Sequence, residues 1–317
     1  MSHLIVVALG GNAILQAGQE GTFGQQMEGV YASCDPIVGL LRQGYKVVMT
    51  HGNGPQVGNI LIQNEEAAKV APAMPLDACG AESQGFIGYM IQQALGNKLR
   101  EAGVDRPVVA LVTQTLVDAT DPAFQNPSKP IGPFYTEKRA QRLMAEHDFK
   151  MIEDAGRGWR RVVPSPEPKA IVEGPAIKAL VASGALVIAS GGGGIPVTLR
   201  DGRLEGVEAV IDKDLAAMRL AADLDADVLL ILTDVSGVAV DYGRPAQRFL
   251  RRMTPAEGRA YLVEGHFKAG SMKPKVEAAL RFVESAGGGG SRRRAVIGAL
   301  AEADRAARGE AGTVVEV

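Results

Sequence analysis

Short runs of hydrophobic, mostly β-branched residues recur along the chain and are apolar at nearly every position. Such runs are typical of strands that are covered on both faces. They occupy residues 4–9, 46–50, 108–113, 185–190, 228–233 and 295–298. Apolar residues at helical spacing lie between most of these runs, at 60–69, 84–101, 176–183, 214–224 and 274–285. The alternation predicts an α/β fold, an αβα sandwich around a mostly parallel sheet.

Two segments interrupt this alternation. Residues 118–173 are rich in proline and contain the only tryptophan, Trp159, beside a basic cluster at 157–161. They are too many for an ordinary connection, so we expect a small inserted subdomain or lid there. Four glycines and a serine at 287–291 precede Arg292, Arg293 and Arg294. This composition predicts a flexible surface loop with a solvated basic end.

The charge balance and the two cysteines limit the classes of function. Lys and Arg number 34 against 36 Asp and Glu in 317 residues, so nothing indicates a nucleic-acid or membrane-surface partner. Cys34 and Cys79 lack the spacing of a zinc site or a disulfide framework and are expected to be buried thiols. Because no signal peptide or membrane-spanning run is recognisable, we expect a cytoplasmic protein.

Glycine-rich turns follow three of the predicted strands. They contain Gly10-Gly11-Asn12, Gly52-Asn53-Gly54 and the four glycines at 191–194. Each could be only a tight turn, but the carboxyl ends of parallel strands share one edge of a sheet. Glycines there let backbone N–H groups approach an anion closely. Three such turns together favour an anion site.

Familiar nucleotide and metal motifs are not met. The spacing at 265–270 continues with Ser-Met instead of the Lys-Ser/Thr of a Walker A loop. No glycine turn matches GxGxxG, and no HExxH occurs. A nicotinamide-dependent dehydrogenase and a zinc protease are therefore disfavoured.

Three lysines stand in contexts suited to a phosphate. Lys129 lies in the proline-rich segment, Lys213 lies between two aspartates, and Lys275 follows Pro274 near the start of a predicted helix. Phosphoryl transfer needs cations placed around the migrating group. Any one of these lysines could also be a solvated surface group. Asp234, which follows a predicted strand, could simply cap that strand.

Several of these motifs occur together in one known family. They are Gly-Gly-Asn at 10–12, His-Gly-Asn-Gly-Pro-Gln at 51–56, Lys-Pro-Ile-Gly-Pro-Phe-Tyr at 129–135, Ser-Gly-Gly-Gly-Gly-Ile-Pro at 190–196, Asp-Lys-Asp at 212–214, Thr-Asp-Val at 233–235 and Gly-Ser-Met with Pro-Lys at 270–275. Their order, spread over nearly the whole chain, resembles the carbamate kinases of the amino acid kinase family.

The resemblance implies one amino acid kinase domain over 1–317, with the protruding subdomain at about 118–173, assembled as a homodimer. The implied activity is reversible, Mg²⁺-dependent phosphoryl transfer between carbamoyl phosphate and ADP, which gives ATP and carbamate, in arginine or related catabolism. Two alternatives remain open: a kinase of the same fold that acts on another carboxylate, and a nucleotide-binding regulator without catalysis. The retained lysines argue against the regulator.

The resemblance also implies roles for individual residues. The catalytic set is Lys129, Lys213, Asp214 and Lys275. The substrate-binding set is Gly10, Gly11, Asn12, Gly52 and Asn53. The nucleotide-binding set is Gly191, Gly192, Gly193, Asp234, Tyr242 and Met272. The chain departs from the family pattern in two places. Lys273 stands where the family has glycine, and nucleotide affinity is the property that it puts in question. The stretch at 287–294 is longer than the family's short turn, which is expected to alter only a surface loop.

Overall fold

The computed structural model describes residues 3–16, 18–147, 149–154, 156–268, 270–285 and 293–317. Its helices are α1 Phe23–Arg42, α2 Gly54–Ala67, α3 Leu76–Glu101, α4 Glu137–His147, α5 Gly174–Ala182, α6 Lys213–Asp223, α7 Pro255–Val263, α8 Met272–Glu284 and α9 Ala303–Ala307. Its strands are β1 Leu4–Leu9, β2 Lys46–His51, β3 Val108–Ala110, β4 Gln114–Leu116, β5 Lys129–Tyr135, β6 Met151–Glu153, β7 Trp159–Val163, β8 Ala170–Ile171, β9 Leu186–Ile188, β10 Ile195–Arg200, β11 Arg203–Gly206, β12 Val228–Thr233, β13 Ala239–Val240, β14 Arg248–Phe249, β15 Arg252–Met253, β16 Arg294–Ala299 and β17 Thr313–Val315.

The large sheet has eight strands in the order β15-β17-β16-β12-β1-β2-β9-β3. Neighbouring strands are parallel except for β16 and β17, which are antiparallel. Side chains of β1 alternate between two hydrophobic clusters: Val6 and Ala8 face the cluster formed with α5, α6 and α8. Ile5, Val7 and Leu9 face the cluster formed with α1, α3 and α9. Burial on both faces explains the unbroken apolar runs, and the predicted αβα sandwich is confirmed.

The element boundaries differ from the predicted ones in a few places. Helix α1 is absent from the predicted helices because its three glycines and Pro36 disfavour helix in isolation. Packing requires one of these glycines, since a Cβ on Gly29 would overlap the carbonyl oxygen of Ile14. Strand β3 is shorter than predicted, because after Ala110 the chain passes to β4 in a second sheet of order β11-β10-β4-β8.

Residues 129–163 form a separate three-stranded unit. Its antiparallel sheet has the order β5-β7-β6, and α4 packs on it through Ala140 and Leu143, which cluster with Met151. The unit closes where it leaves the main body, because the backbone N–H of Ser128 donates to the carbonyl oxygen of Val163 at 3.2 Å. Strand β8 belongs to the second sheet instead, where it pairs with β4.

The basic end predicted after the glycine-rich stretch is not solvated where the structure describes it. Residues 286–292 lie outside the described residues. The guanidinium of Arg293 is buried and donates to Asp225 and Ser285, at 2.6 Å each. Arg294 begins β16 and donates to the carbonyl oxygen of Ala307. The expectation of a solvated end was therefore wrong for both arginines, because each has an acceptor in the fold.

Both cysteines are buried, as expected. Burial raises the pKa of the Cys34 thiol to about 12, although nearby Lys98 opposes the shift, and burial raises the pKa of Cys79 to about 11. A thiol with such a high pKa stays protonated and unreactive near neutral pH. In the described part of the chain, no helix has the length and apolar character needed to cross a membrane.

Candidate active site

The glycine-rich turns after β1 and β2 meet at one edge of the large sheet. Leu9 is paired with His51 in β2 and with Leu232 in β12, so the ends of these three strands lie side by side. The backbone N–H of Gly10 donates to the carbonyl oxygen of Leu232 at 3.1 Å. The predicted convergence of these turns is confirmed, and it follows from the parallel register of the strands.

Asp214 brings two of the predicted lysines together. Its carboxylate accepts from Lys213 Nζ at 2.8 Å through Oδ1 and from Lys275 Nζ at 2.9 Å through Oδ2. The Asp214 side chain is 3% exposed. A buried carboxylate is stable only when it is paired, and two ammonium groups satisfy this one. Residues 61 positions apart in the chain thus share one ion-pair cluster.

The electrostatics of this cluster favour a bound anion. Burial alone would raise the pKa of Asp214, but Lys213 and Lys275 outweigh it and hold that pKa below its ordinary value. Burial lowers the pKa of Lys275, and the neighbouring charge of Lys213 lowers it further, while Asp214 opposes both effects. Two cations that share one carboxylate leave an excess positive charge, which an anion such as a phosphate can offset.

The third lysine is held nearby by Asp212. Lys129, the first residue of β5 in the three-stranded unit, donates to Asp212 Oδ2 at 2.9 Å. The other oxygen of Asp212 caps α6 by accepting from the backbone N–H of Asp214 at 2.9 Å. One carboxylate therefore ties the three-stranded unit to the helix that carries Lys213. Asp212 belongs to the Asp-Lys-Asp motif at 212–214, but it was not among the predicted site residues.

Lys213 also adjoins the glycine turns. A Cβ built on Gly52 would lie 3.3 Å from Lys213 Cδ and 3.4 Å from the backbone nitrogen of Gly11. Both contacts are tight, so a side chain at position 52 would push the lysine stem away from the turn. The glycines predicted to bind the substrate and the ion-pair cluster are thus adjacent in the structure.

A cavity of about 500 Å³ lies on the other side of Lys275. Three residues of the predicted nucleotide-binding set line it: Asp234, Tyr242 and Met272. Asn12 Nδ2 donates to Asp234 Oδ2, which joins the first glycine turn to the cavity. Lys275 lines the cavity and contacts Asp214, so the cavity and the glycine turns meet at this lysine.

The structure places the other three predicted nucleotide residues elsewhere. Gly191, Gly192 and Gly193 do not line the cavity. A Cβ at these positions would overlap His51, Asn53 and Ile211, respectively. The turn at 191–194 therefore packs against the second glycine turn, because only glycine permits that approach with the positive φ values of 67°, 101° and 83° at residues 192 to 194. The structure thus places these three glycines apart from the cavity that Asp234 lines, and their role toward the nucleotide stays a prediction.

Other residues of the cavity were missed by the sequence analysis. Polar ones are Asp241, Arg244, Glu264, His266 and Lys268. They come from the β13–β14 region and from the segment between α7 and α8, which are joined only by the fold. Lys268 begins the Lys-Ala-Gly-Ser-Met string at 268–272 that contributes to the family resemblance, but it was given no role. The other four stand in no motif that distinguishes them from ordinary surface residues.

Lys273 lies beside the site without entering it. Its ammonium lies 3.9 Å from Glu277, one helical turn further along α8, and its side chain is 48% exposed. Lys273 is not among the residues that line the cavity, whereas Met272 and Lys275 are. The position of Lys273 on α8 therefore directs its ammonium group away from the ion-pair cluster.

The comparisons with known proteins agree with this geometry. Residues 3–297 match the model of the amino acid kinase family. The chain therefore belongs to the amino acid kinase family, and it is a kinase.

Particular relatives cover nearly the whole chain. A carbamate kinase of Thermococcus kodakarensis is 56% identical over 314 residues, which are 98% of each chain. A carbamate kinase of Clostridium perfringens is 47% identical over 98% of this chain and 99% of its own length. The structure of a carbamate kinase from Giardia lamblia bound to AMP-PNP has a TM-score of 0.93 and 47% identity, and the alignment covers 99% of this chain and 98% of that one.

Proposed function

We propose that the chain is a carbamate kinase that transfers a phosphoryl group reversibly between carbamoyl phosphate and ADP. In the forward direction an oxygen of the ADP β-phosphate attacks phosphorus, and the bond from phosphorus to the carbamoyl oxygen breaks. The products are ATP and carbamate, which decomposes to ammonia and CO₂. The observation that carries the proposal is the Lys213–Asp214–Lys275 cluster, which stands between the glycine turns and the cavity. The identity to carbamate kinases over nearly the full length supports this substrate.

The two lysines paired with Asp214 act on the charge of the transferring group. We assign Lys213 to the acyl-phosphate side, because it adjoins Gly52, and Lys275 to the nucleotide side, because it lines the cavity. Asp214 is an orienting residue, since it fixes both ammonium groups without contacting solvent. Cations fixed in advance stabilise the transition state without reorganising during the reaction.

The glycine turns and the cavity receive the two substrates. We place the carbamoyl group and its phosphate at Gly10, Gly11, Asn12, Gly52 and Asn53, and the nucleotide against Asp234, Tyr242 and Met272. Helix α2 begins at Gly54, so its unpaired N–H groups and its positive dipole end lie beside the phosphate position. The fixed backbone donors there orient the phosphate for in-line transfer.

Magnesium enters this reaction as part of the nucleotide substrate. Within the described residues, no group of three or more His, Cys, Asp or Glu side chains could hold a metal ion. Two carboxylates where the glycine turns meet the cavity are already paired, Asp214 with two lysines and Asp234 with Asn12. Bound to phosphate oxygens of ADP or ATP, Mg²⁺ supplies charge that offsets the phosphoryl oxygens.

The three-stranded unit acts in this proposal as a lid. Lys129 stands at the point where its strand β5 leaves the main body, and its ion pair holds it at Asp212, the residue before Lys213. Closure would bring a third cation to the phosphate and exclude water, which would otherwise hydrolyse an acyl phosphate.

We further propose that the enzyme is a cytoplasmic homodimer that serves arginine or related catabolism. The dimer is supported by β3, the terminal strand of the large sheet, and by three aromatic or aliphatic side chains that are about half exposed. These are Phe23, Tyr89 and Val112. Val112 follows β3, and Tyr89 lies on α3, which packs on β3. Phe23 begins α1 and lies against Phe86 of α3. A second copy that covers this edge would bury both the apolar side chains and the free strand edge. Light scattering coupled to gel filtration tests the dimer directly.

The activity is tested by ATP formation in a coupled assay with carbamoyl phosphate, ADP and Mg²⁺. We expect carbamoyl phosphate to be used far better than acetyl phosphate at equal concentration. ATP formation from acetyl phosphate alone would assign the chain to another acyl-phosphate kinase. Nucleotide binding without any transfer would favour the regulator.

A further inference from the structure

Asn53 occupies a helix N-cap position without capping the helix. It precedes Gly54, the first residue of α2, and its side chain makes no hydrogen bond to the free N–H groups of that helix. Asparagine at this position normally accepts from such an N–H group. In this chain Nδ2 donates instead to Ser83 Oγ of α3 at 2.8 Å. The side-chain amide is therefore held by a neighbouring helix and not by its own.

The hydrogen bonds of Ser83 determine the orientation of the Asn53 side-chain amide. Ser83 is fully buried, and its single hydroxyl hydrogen is donated to the carbonyl oxygen of Gly80 at 2.7 Å. With that hydrogen used, Ser83 Oγ can only accept, so it must face the NH₂ group of Asn53. Among the described residues, nothing donates to Asn53 Oδ1.

The turn at Gly191–Gly194 also restricts the orientation of the Asn53 side-chain amide. A Cβ on Gly192 would overlap the side chain of Asn53, and the φ of Gly192 is +67°. The amide group thus lies directly against the glycine backbone on one side while its NH₂ is bonded to Ser83. Rotation about its terminal bond would bring Oδ1 against the lone pairs of Ser83 Oγ, which is repulsive.

We propose that Ser83 is a positioning residue that makes the site selective for carbamoyl phosphate over acetyl phosphate. By accepting from Nδ2, Ser83 leaves Oδ1 of Asn53 as an acceptor. Asn53 follows Gly52 in the chain, and the proposed function places the acyl group at these two residues. The carbamoyl NH₂ can donate to that oxygen. The methyl of acetyl phosphate cannot, and it leaves the acceptor unsatisfied. The inference rests on the proposed function and deepens it.

The size of the effect follows from the chemistry of an unpaired acceptor. Sites that hydrogen-bond a substrate N–H or O–H reject the analogue that lacks it much more strongly than apolar pockets reject a small size change. A single neutral hydrogen bond of this kind corresponds to roughly a tenfold preference. Loss of amide orientation should therefore lower the preference for carbamoyl phosphate by about tenfold.

The test is the ratio of kcat/KM for carbamoyl phosphate to kcat/KM for acetyl phosphate. In Ser83→Ala the amide is free to turn, and we expect the ratio to fall about tenfold. Ser83→Cys, which keeps the volume but accepts weakly, should lower the ratio in the same direction and serves where the alanine variant folds poorly. A ratio rather than a rate is used because a merely structural defect lowers turnover of both acyl phosphates alike.

Ser285→Ala is the matched control. Ser285 Oγ also donates to the carbonyl oxygen three residues earlier, that of Phe282 at 2.7 Å, and accepts from an arginine, but it lies at the opposite end of α8 from the site. We expect its ratio to equal that of the unmodified chain. An unchanged ratio in both Ser83 variants would overturn the inference while leaving the proposed activity intact. Absence of carbamoyl phosphate turnover in the unmodified chain would instead overturn the proposed function itself.

Discussion

Lys275 Nζ lies 2.9 Å from Asp214 Oδ2, and this ion pair joins the cavity to the glycine turns. The other oxygen of Asp214 holds Lys213 at 2.8 Å, so one carboxylate sets the spacing of two cations. Neither lysine could be held this way by a solvated aspartate, since exposed ion pairs are weak and mobile. The burial of Asp214 is what makes the arrangement rigid.

Lys213→Ala and Lys275→Ala should each lower kcat about 100-fold or more, with smaller effects on substrate affinity, if these charges act on the transition state. Steady-state kinetics with both substrates measures this. Lys273→Ala is the matched control, because it removes a neighbouring lysine that is half exposed and lies outside the cavity. An unchanged kcat in a folded Lys275→Ala variant would contradict the assigned role.

Lys273→Gly, which restores the family residue, should change the KM for ADP by less than about tenfold and leave kcat nearly intact. The reason is that the Lys273 ammonium lies toward Glu277 and is screened by salt over roughly 8 Å under physiological conditions. The small effect on KM should shrink further at high salt. A collapse of kcat in Lys273→Gly would show that the wrong lysine had been given the catalytic role.

Replacement of residues 129–163 by two glycines should leave a folded core that binds ADP but transfers little phosphate. The ends are suitable for this junction, because Ser128 is hydrogen-bonded to Val163, the last residue replaced, and therefore lies close to the point where the chain resumes. Strand β8 stays in the second sheet. Calorimetry measures ADP binding, and the coupled assay measures transfer.

The full-length Lys129→Ala variant serves as the comparison for this deletion. It removes the cation while it keeps the unit that is proposed to close over the site. If the deletion has lower activity than Lys129→Ala, the three-stranded unit contributes more than the charge of Lys129. The additional contribution is then assigned to the exclusion of water. Substantial turnover in the deletion would show that the three-stranded unit is dispensable.

His51 should make the stability of the fold fall as the pH falls from about 6.5 to about 4. Burial lowers the pKa of His51 from 6.5 to about 4, with a smaller contribution from Lys213. Between these values the unfolded chain binds a proton that the folded chain does not, so unfolding is favoured by up to roughly 3 kcal/mol. Above pH 6.5 His51 is neutral in both the folded and the unfolded chain, so this loss of stability is absent there.

Urea unfolding at pH 5 and pH 7 checks the effect of His51. The matched variant is His51→Asn, which has no titrating ring but can still donate, as His51 Nδ1 does, to the carbonyl oxygen of Gly52. Its free energy of unfolding should depend less on pH in this range than that of the unmodified chain. Equal pH dependence in the two proteins would mean that His51 is protonated in the folded state.

Much of the fold was predictable from local pattern. The apolar runs of β1, β2 and β12 identify buried parallel strands, because a strand with helices on both faces has no polar side. The glycine turns that follow β1 and β2 predict a site at the carboxyl edge, since parallel strands end together there. Helix α1 was not predictable in this way, since its glycines and Pro36 are tolerated only through packing.

What the sequence determined by itself is the class of chemistry: lysines, glycine turns and an acidic helix start, all suited to a phosphate. The tertiary structure decided the partners. It paired Lys275 with Asp214 and Lys129 with Asp212, and it placed Gly192 against Asn53 and the glycines on either side of it against His51 and Ile211. Short motifs record which residue types are present, whereas ion pairs and backbone approaches depend on distances between segments that are far apart in the chain. Those distances are set by the register of the sheet and by the packing of α6 and α8 upon it.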